Sequence, residues 1–161
     1  MYLLPKPKTI KEQDGQMLLC HSTHIVMTKE VAETEMHAAK RLQEAIRQET
    51  GLILPFSVGE VREGDLSLGI AKTLPEQTYE ITIDEKGGQI SGGDGAGVLY
   101  GVETFCQIVQ QCGGILPCVQ IQDAPDMPNR GYYFDQTRGR VLKLEAVSYT
   151  HLRAHETDSY L

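Results

Sequence analysis

Arg130, Asp135 and Arg138 bracket the aromatic run Tyr132-Tyr133-Phe134 near the end of this chain. Charges around so short an apolar strand must be paired with one another or aimed at a ligand. Arginine suits both roles, because its planar guanidinium donates in fixed directions that match a carboxylate or a pair of neighbouring hydroxyls. The preceding stretch, Asp123-Ala124-Pro125-Asp126-Met127-Pro128-Asn129, holds two prolines three residues apart and reads as a linker. Residue types alone leave two readings open. One is a domain linker followed by an edge strand, its arginines meeting Asp123, Asp126 or Asp135 in ordinary salt bridges. The other is a cluster that recognises hydroxyls or carboxylates of a ligand.

Three further groupings carry possible chemistry. Gly92-Gly93-Asp94-Gly95-Ala96-Gly97, continuing to Gly101, lies between a predicted strand and a predicted helix, the context of a dinucleotide-binding fingerprint. A parallel strand feeding such a loop is buried on both faces and reads as a continuous apolar run. Gln89-Ile90-Ser91 is short and polar, which favours a tight turn with Asp94 capping the helix. His21 and His24 stand three apart, so in a strand their rings point to opposite faces, which favours ordinary surface or hairpin histidines. His151 and His155 are four apart, a spacing that would align metal ligands on a helix. They lie, however, in 147–161, a segment without apolar periodicity that is similar to the translated read-through of a sequencing adapter. It is expected to be an artefactual or disordered tail.

These groupings need elements to hold them. Residues 1–16, with Pro5, Pro7 and Asp14-Gly15, suggest an extended lead-in and a turn. Leu18-Leu19-Cys20 and Ile25-Val26-Met27 read as one or two strands broken around 21–23. From 30 to 50 the period changes: Ala32, Met36, Ala39, Leu42 and Ile46 recur at three and four residues, with Thr28 as N-cap and Gly51 as stop. Residues 52–58 and 66–71 are short apolar strands separated by the polar turn 60–65. Tyr79-Glu80-Ile81-Thr82-Ile83-Asp84 alternates strictly, and Lys86-Gly87-Gly88 turns it back into a hairpin. Val98, Val102, Phe105 and Val109, widened by Leu99 and Cys106, form a second helical stripe ended by Gly113-Gly114. A last strand covers 115–122. The expected fold is α+β: a mixed, largely antiparallel sheet of five to seven strands packed by two helices.

Bulk properties exclude several partners. The chain has 161 residues, enough for one self-sufficient domain. Its net charge of −7 repels phosphate backbones, so nucleic acid and anionic membrane are not expected partners. No apolar run reaches the ~20 residues that span a bilayer. The first residues lack a secretory pattern, which makes the cytoplasm the expected compartment. Cys20, Cys106, Cys112 and Cys118 form no C-x-x-C pair and are expected as free thiols.

The segment 79–135 resembles glycoside hydrolase family 20, the β-N-acetylhexosaminidases. Three pieces carry the likeness: Tyr79-Glu80-Ile81-Thr82-Ile83; a G-x-x-Y-G-x-x-T-x-x-Q pattern on Gly97, Tyr100, Gly101, Thr104 and Gln107; and a D-x-P-x-x-x-x-R-G-x-x-x-D-x-x-R pattern on Asp123, Pro125, Arg130, Gly131, Asp135 and Arg138. Weaker similarity reaches back to the first helix.

The resemblance implies a non-catalytic accessory domain over 1–122 and the first strand of a truncated (β/α)8 barrel over 123–146. It implies that Arg130 hydrogen-bonds the hydroxyls of a terminal N-acetylhexosamine, with Asp135 and Arg138 as supports. The family's reaction is substrate-assisted retention and implies no metal or organic cofactor: the sugar's acetamido oxygen attacks the anomeric carbon, an Asp orients it, and a Glu protonates the leaving oxygen. No His-x-Gly-Gly-Asp-Glu-like motif occurs here, so no catalytic residue is assigned and the polypeptide alone is expected to be inactive. The partner implied is an N-acetylhexosamine-containing glycan. Three alternatives remain: the accessory domain of an O-linked N-acetylglucosaminidase-type or α-glucuronidase enzyme, a free-standing interaction domain, and the nucleotide-binding reading of 92–101.

Overall fold

Seven strands and two helices are present among the described residues, in the order β1 (Thr9–Leu18), β2 (Ile25–Met27), α1 (Glu33–Thr50), β3 (Phe56–Val58), β4 (Leu66–Ile70), β5 (Tyr79–Asp84), β6 (Gly87–Gly92), α2 (Gly95–Cys112) and β7 (Ile115–Asp123). The computed structural model describes residues 1–27 and 33–131. The chain divides into two compact units, Met1–Pro128 and Asn129–Leu161, and every one of these elements belongs to the first. No described helix is long and apolar enough to cross a membrane.

The strands form one sheet in the order β1-β7-β5-β6-β4-β2-β3. Pairings from β1 through β6 are antiparallel, and those joining β6, β4, β2 and β3 are parallel. The α+β architecture is the one expected, with a parallel half as large as the antiparallel one. Parallel neighbours need a crossover connection, and α1 supplies it between β2 and β3.

Alternation decides which side chains enter the core. In β5, Tyr79, Ile81 and Ile83 are buried while Glu80 and Thr82 are only partly covered. The register then carries whole rows across the sheet. Ile121, Ile81, Ile90, Leu68 and Met27 lie side by side, as do Val119, Ile83, Gly88, Leu66 and Ile25. These rows face Ala38, Ala39, Leu42 and Ile46 of α1 and Val98, Val102, Phe105 and Val109 of α2, all fully buried in one cluster. Each helix stops as its glycine predicts: Gly51 and Gly113 take positive φ, and their amides return to Arg47 and Val109.

The opposite face carries the alternate residues. Lys11, Gln120, Thr82, Gln89, Ser67, Val26 and Ser57 form one continuous row across all seven strands. The connection 59–65 leaves β3 beside Met27, through Gly59 N–H to the Met27 carbonyl, and reaches β4 where Leu66 N–H meets the His24 carbonyl. It therefore returns across β2 outside the layer held by α1. Val26, which belongs to this outer row and stands apart from the helix-side cluster, is 1% exposed.

Three expectations shift. β1 starts at Thr9 instead of Leu18, and Asp14-Gly15 sits in the bulge where its register with β7 slips, with Gly15 at φ 110°. Apolar alternation missed this strand because it lies at the sheet edge: its residues are mostly exposed and need only backbone pairing. β3 is limited to Phe56–Val58, since Pro55 has no amide to donate and Leu52–Leu54 approach it as irregular chain. The β5–β6 hairpin turns at Glu85-Lys86, while Gly87 and Gly88 pair with Asp84 and Ile83. Thr28 and Ala32 lie outside the described residues.

Candidate functional site

The glycine-rich stretch at the start of α2 is closed on its own chain. Asp94 Oδ1 accepts the Gly97 N–H at 2.7 Å and the Gln77 N–H at 3.0 Å, so the helix N-terminus already has its capping anion. A Cβ on Gly93 would stand 1.9 Å from the Pro75 carbonyl oxygen, and one on Gly97 would stand 2.3 Å from that of Thr78. These glycines let backbone meet backbone. The turn-and-cap reading holds, in place of a nucleotide cradle.

Farther along α2, Thr104 Oγ1 and the Tyr79 hydroxyl are 2.7 Å apart, and that hydroxyl donates to Asp123 Oδ2 at 3.3 Å. Asp123 Oδ1 accepts from the Lys8 amide at 3.2 Å. Gln107 grips the Leu4 backbone in both directions, at 2.9 and 3.0 Å, and Gln111 does the same with Tyr2. One helix thus ties the N-terminal segment, β5 and the end of β7 together. Beyond β7, Lys8 Nζ meets Asp126 at 2.9 Å, and Gln77 Nε2 donates to the Pro128 carbonyl at 3.2 Å.

Burial pushes the Tyr79 phenol from 10.0 up to about 12, and the neighbouring Asp123 carboxylate adds to the rise. Burial likewise pushes the Cys106 thiol from 9.0 to about 12, with Glu103 contributing. Both groups bind their proton more tightly folded than unfolded, so their stabilisation is complete below pH 9 and is lost as pH rises toward 12. The melting temperature should therefore fall progressively from pH 9 to 12. Tyr79→Phe should make that fall shallower, as read by circular dichroism across the range.

Arg130 is exposed and lies in the second unit. Asp135, Arg138, Tyr132–Phe134, His151, His155 and the segment 147–161 lie outside the described residues. His21 is exposed in a turn, while His24 Nδ1 stands 3.4 Å from Asp65 Oδ1. The four cysteines are free thiols, with Cys106 and Cys118 buried.

Sequence reasoning passed over a polar cleft beside β3. It is lined by His24, Ser57, Val58, Glu60, Arg62 and Asp65 and encloses about 350 Å³. Asp65 is its buried floor: Oδ1 accepts the His24 amide and Oδ2 the Arg62 amide, both at 2.9 Å. These residues stand up to 41 positions apart without a motif, and only the return of 59–65 across β2 gathers them.

A family model described as glycosyl hydrolase family 20, domain 2, matches residues 1–124, which ends one residue past β7. The chain belongs to glycosyl hydrolase family 20. A β-hexosaminidase of Vibrio furnissii is 29% identical over 138 residues, covering 84% of this chain and 21% of its own length. The chain thus spans about a fifth of the length of the curated β-hexosaminidases it matches. Among solved structures, the GH20 exo-β-N-acetylglucosaminidase of Vibrio harveyi in complex with N-acetylglucosamine shares the fold at a TM-score of 0.63 and 19% identity, over 78% of this chain and 19% of that one. CpGH84D matches at the same TM-score of 0.63 with 16% identity, over 76% of this chain and 24% of that one. The fold alone does not single out family 20; the family model does.

The geometry accounts for four of the five positions of the G-x-x-Y-G-x-x-T-x-x-Q stretch on α2. Gly97 and Gly101 permit close approach, Thr104 fixes Tyr79, and Gln107 fixes the N-terminal segment.

Proposed function

We propose that residues 1–122 are the non-catalytic accessory domain of a β-N-acetylhexosaminidase and that 123–146 open its catalytic (β/α)8 barrel. Arg130 then contributes a hydroxyl-binding contact for a terminal, β-linked N-acetylhexosamine, supported by Asp135 and Arg138. The family model over 1–124 carries this reading, and the division of the chain at Pro128 supports it. Within the first unit, Lys8 meets Asp126 and Gln77 meets the Pro128 carbonyl, so the chain keeps contacts with that unit up to the division.

In the proposed reaction the substrate's acetamido oxygen attacks the anomeric carbon and a carboxylic acid protonates the leaving oxygen. The sequence contains no His-x-Gly-Gly-Asp-Glu-like motif for these steps, and its adjacent Asp84-Glu85 closes the β5–β6 hairpin, so this reading assigns them to residues of a longer protein. A polypeptide of these 161 residues should release no chromophore from an aryl N-acetyl-β-glucosaminide, whereas the longest reading frame that contains it should. In that longer protein Arg130→Ala should lower kcat/KM by about 10–100-fold through loss of a charged hydrogen bond. Turnover by the 161-residue polypeptide that Arg130→Ala abolishes, or inactivity of the longer protein, would refute the assignment.

A further inference from the structure

We infer that the side of α2 carrying Gln107 and Gln111 is an acceptor site for an extended strand, and that residues 1–4 of a second copy of this chain enter it in exchange for its own, giving a strap-exchanged dimer. The site needs no catalytic chemistry and stands apart from the glycosidase reading.

Gln107 Oε1 accepts the Leu4 N–H at 2.9 Å, while its Nε2 donates to the Leu4 carbonyl at 3.0 Å. Gln111 Oε1 accepts the Tyr2 N–H at 2.9 Å, and its Nε2 donates to the carbonyls of Tyr2 and Gln107. Each glutamine amide thus pairs with the N–H and C=O of one residue, as a neighbouring strand would. The spacing suits this: four residues along a helix advance ~6 Å, and two along a strand ~6.6 Å. Leu3, between the two rungs, is 5% exposed and joins the core cluster. Backbone pairing supplies affinity and one aliphatic pocket supplies selection, the arrangement by which grooves take up extended peptides.

The hold on this strap is slight. Residues 1–4 are ordered by four hydrogen bonds at exposed positions and one buried side chain, so backbone entropy offsets much of what the contacts contribute. Pro5 and Lys6 are exposed. The chain is next held at Pro7, which is buried, and at Lys8, whose amide meets Asp123 and whose ammonium meets Asp126. Opening is therefore confined to residues 1–6, and it uncovers a leucine-sized pocket beside two glutamine amides. The strap of a second copy refills that site with identical contacts, as in domain swapping. What exchange adds lies on the strap's other side. Met1, Tyr2 and Leu4 are 44%, 73% and 67% exposed, three large apolar side chains within four residues. A hinge as short as Pro5-Lys6 keeps both straps near the two-fold axis, where these side chains cover one another.

Sedimentation velocity of the 161-residue protein should show a reversible dimer with a Kd on the order of 0.1 mM, below the millimolar effective concentration of a short tether because apolar surface is covered. Leu3→Asp spoils the strap and leaves the acceptor; Gln107→Ala with Gln111→Ala spoils the acceptor and leaves the strap. Each variant alone should dimerise about tenfold more weakly than the parent. Mixed in equal amounts, they should form a heterodimer at least as tight as the parent dimer, since a sound strap meets a sound acceptor and no closed form competes. Excess synthetic peptide of residues 1–8 should return the parent dimer to monomer, a measurement that needs no variant to fold. The same peptide with Leu3→Asp should not. A parent that stays monomeric at about 1 mM overturns the inference. A dimer indifferent to the strap variants and the peptide does so too, because it lies on another face. A mixture no tighter than its components has the same force: the exposed side chains then dock without exchange.

Discussion

Phe105→Ala should cost about 3–5 kcal/mol of unfolding free energy, the cost of removing a large aromatic side chain from a closed core. Phe105 is 0% exposed and heads the fully buried side chains of the domain. It projects from the middle of α2 toward the sheet: its ring lies 3.6 Å from where a Cβ on Gly88 would stand, in the gap that glycine leaves in the Val119–Ile83–Gly88–Leu66–Ile25 row. Leu66 Cδ2 at 2.6 Å and Met17 Sδ at 3.7 Å from the same point share that gap with the ring, so alanine would open a cavity that these side chains can close only in part and at the expense of their own packing. Domains of this size are stable by only about 5–15 kcal/mol, so the variant should unfold at markedly lower urea with an unchanged m-value. A loss below about 1 kcal/mol would mean that the helices close over the gap and that the rows do not dictate α2's position.

The alternation behind this contact was legible in the sequence wherever both faces of a strand differ in polarity, whereas the register between strands was not. Tyr79–Asp84 alternates because it is central, with helices on one side and the polar row on the other. The same rule found α1 and α2, whose stripes are long enough to fix a period. It failed for Thr9–Gln16, where an edge strand buries almost nothing and its polar residues carry no pattern to read. It failed also for the topology of the parallel half, because β2 and β3 hold three residues each and a connection's path leaves no trace in hydropathy. The candidate sites divide in the same way. Arg130 was found through a contiguous motif; the cleft of His24, Glu60, Arg62 and Asp65 exists only once a loop folds back over Val26.

Gly97→Ala separates helix propensity from tertiary packing by the sign of its effect. Within an isolated helix, alanine in place of glycine stabilises by about 1 kcal/mol. Here the added methyl would lie 2.3 Å from the Thr78 carbonyl oxygen and 3.3 Å from Asp94 Oδ1. Thr78 cannot simply step aside: its carbonyl accepts the Gly93 amide and its neighbour Tyr79 begins the central strand. Asp94 is equally committed, since it caps α2 through the Gly97 amide itself. The whole N-terminal turn of α2 must move, and overpacking of this kind costs about 1–3 kcal/mol or more. Gly101→Ala supplies the graded comparison. Its methyl would meet the Ile90 Cγ2 at 2.7 Å and the Tyr79 ring and Cβ at 3.4 Å, all side-chain atoms that can give way. Chemical denaturation should rank the parent above Gly101→Ala and both above Gly97→Ala, with exposed Gln110→Ala indistinguishable from the parent. If Gly97→Ala instead gains stability, Gly97 faces no backbone wall, and the spacing of glycines on this helix must serve a ligand in place of the sheet.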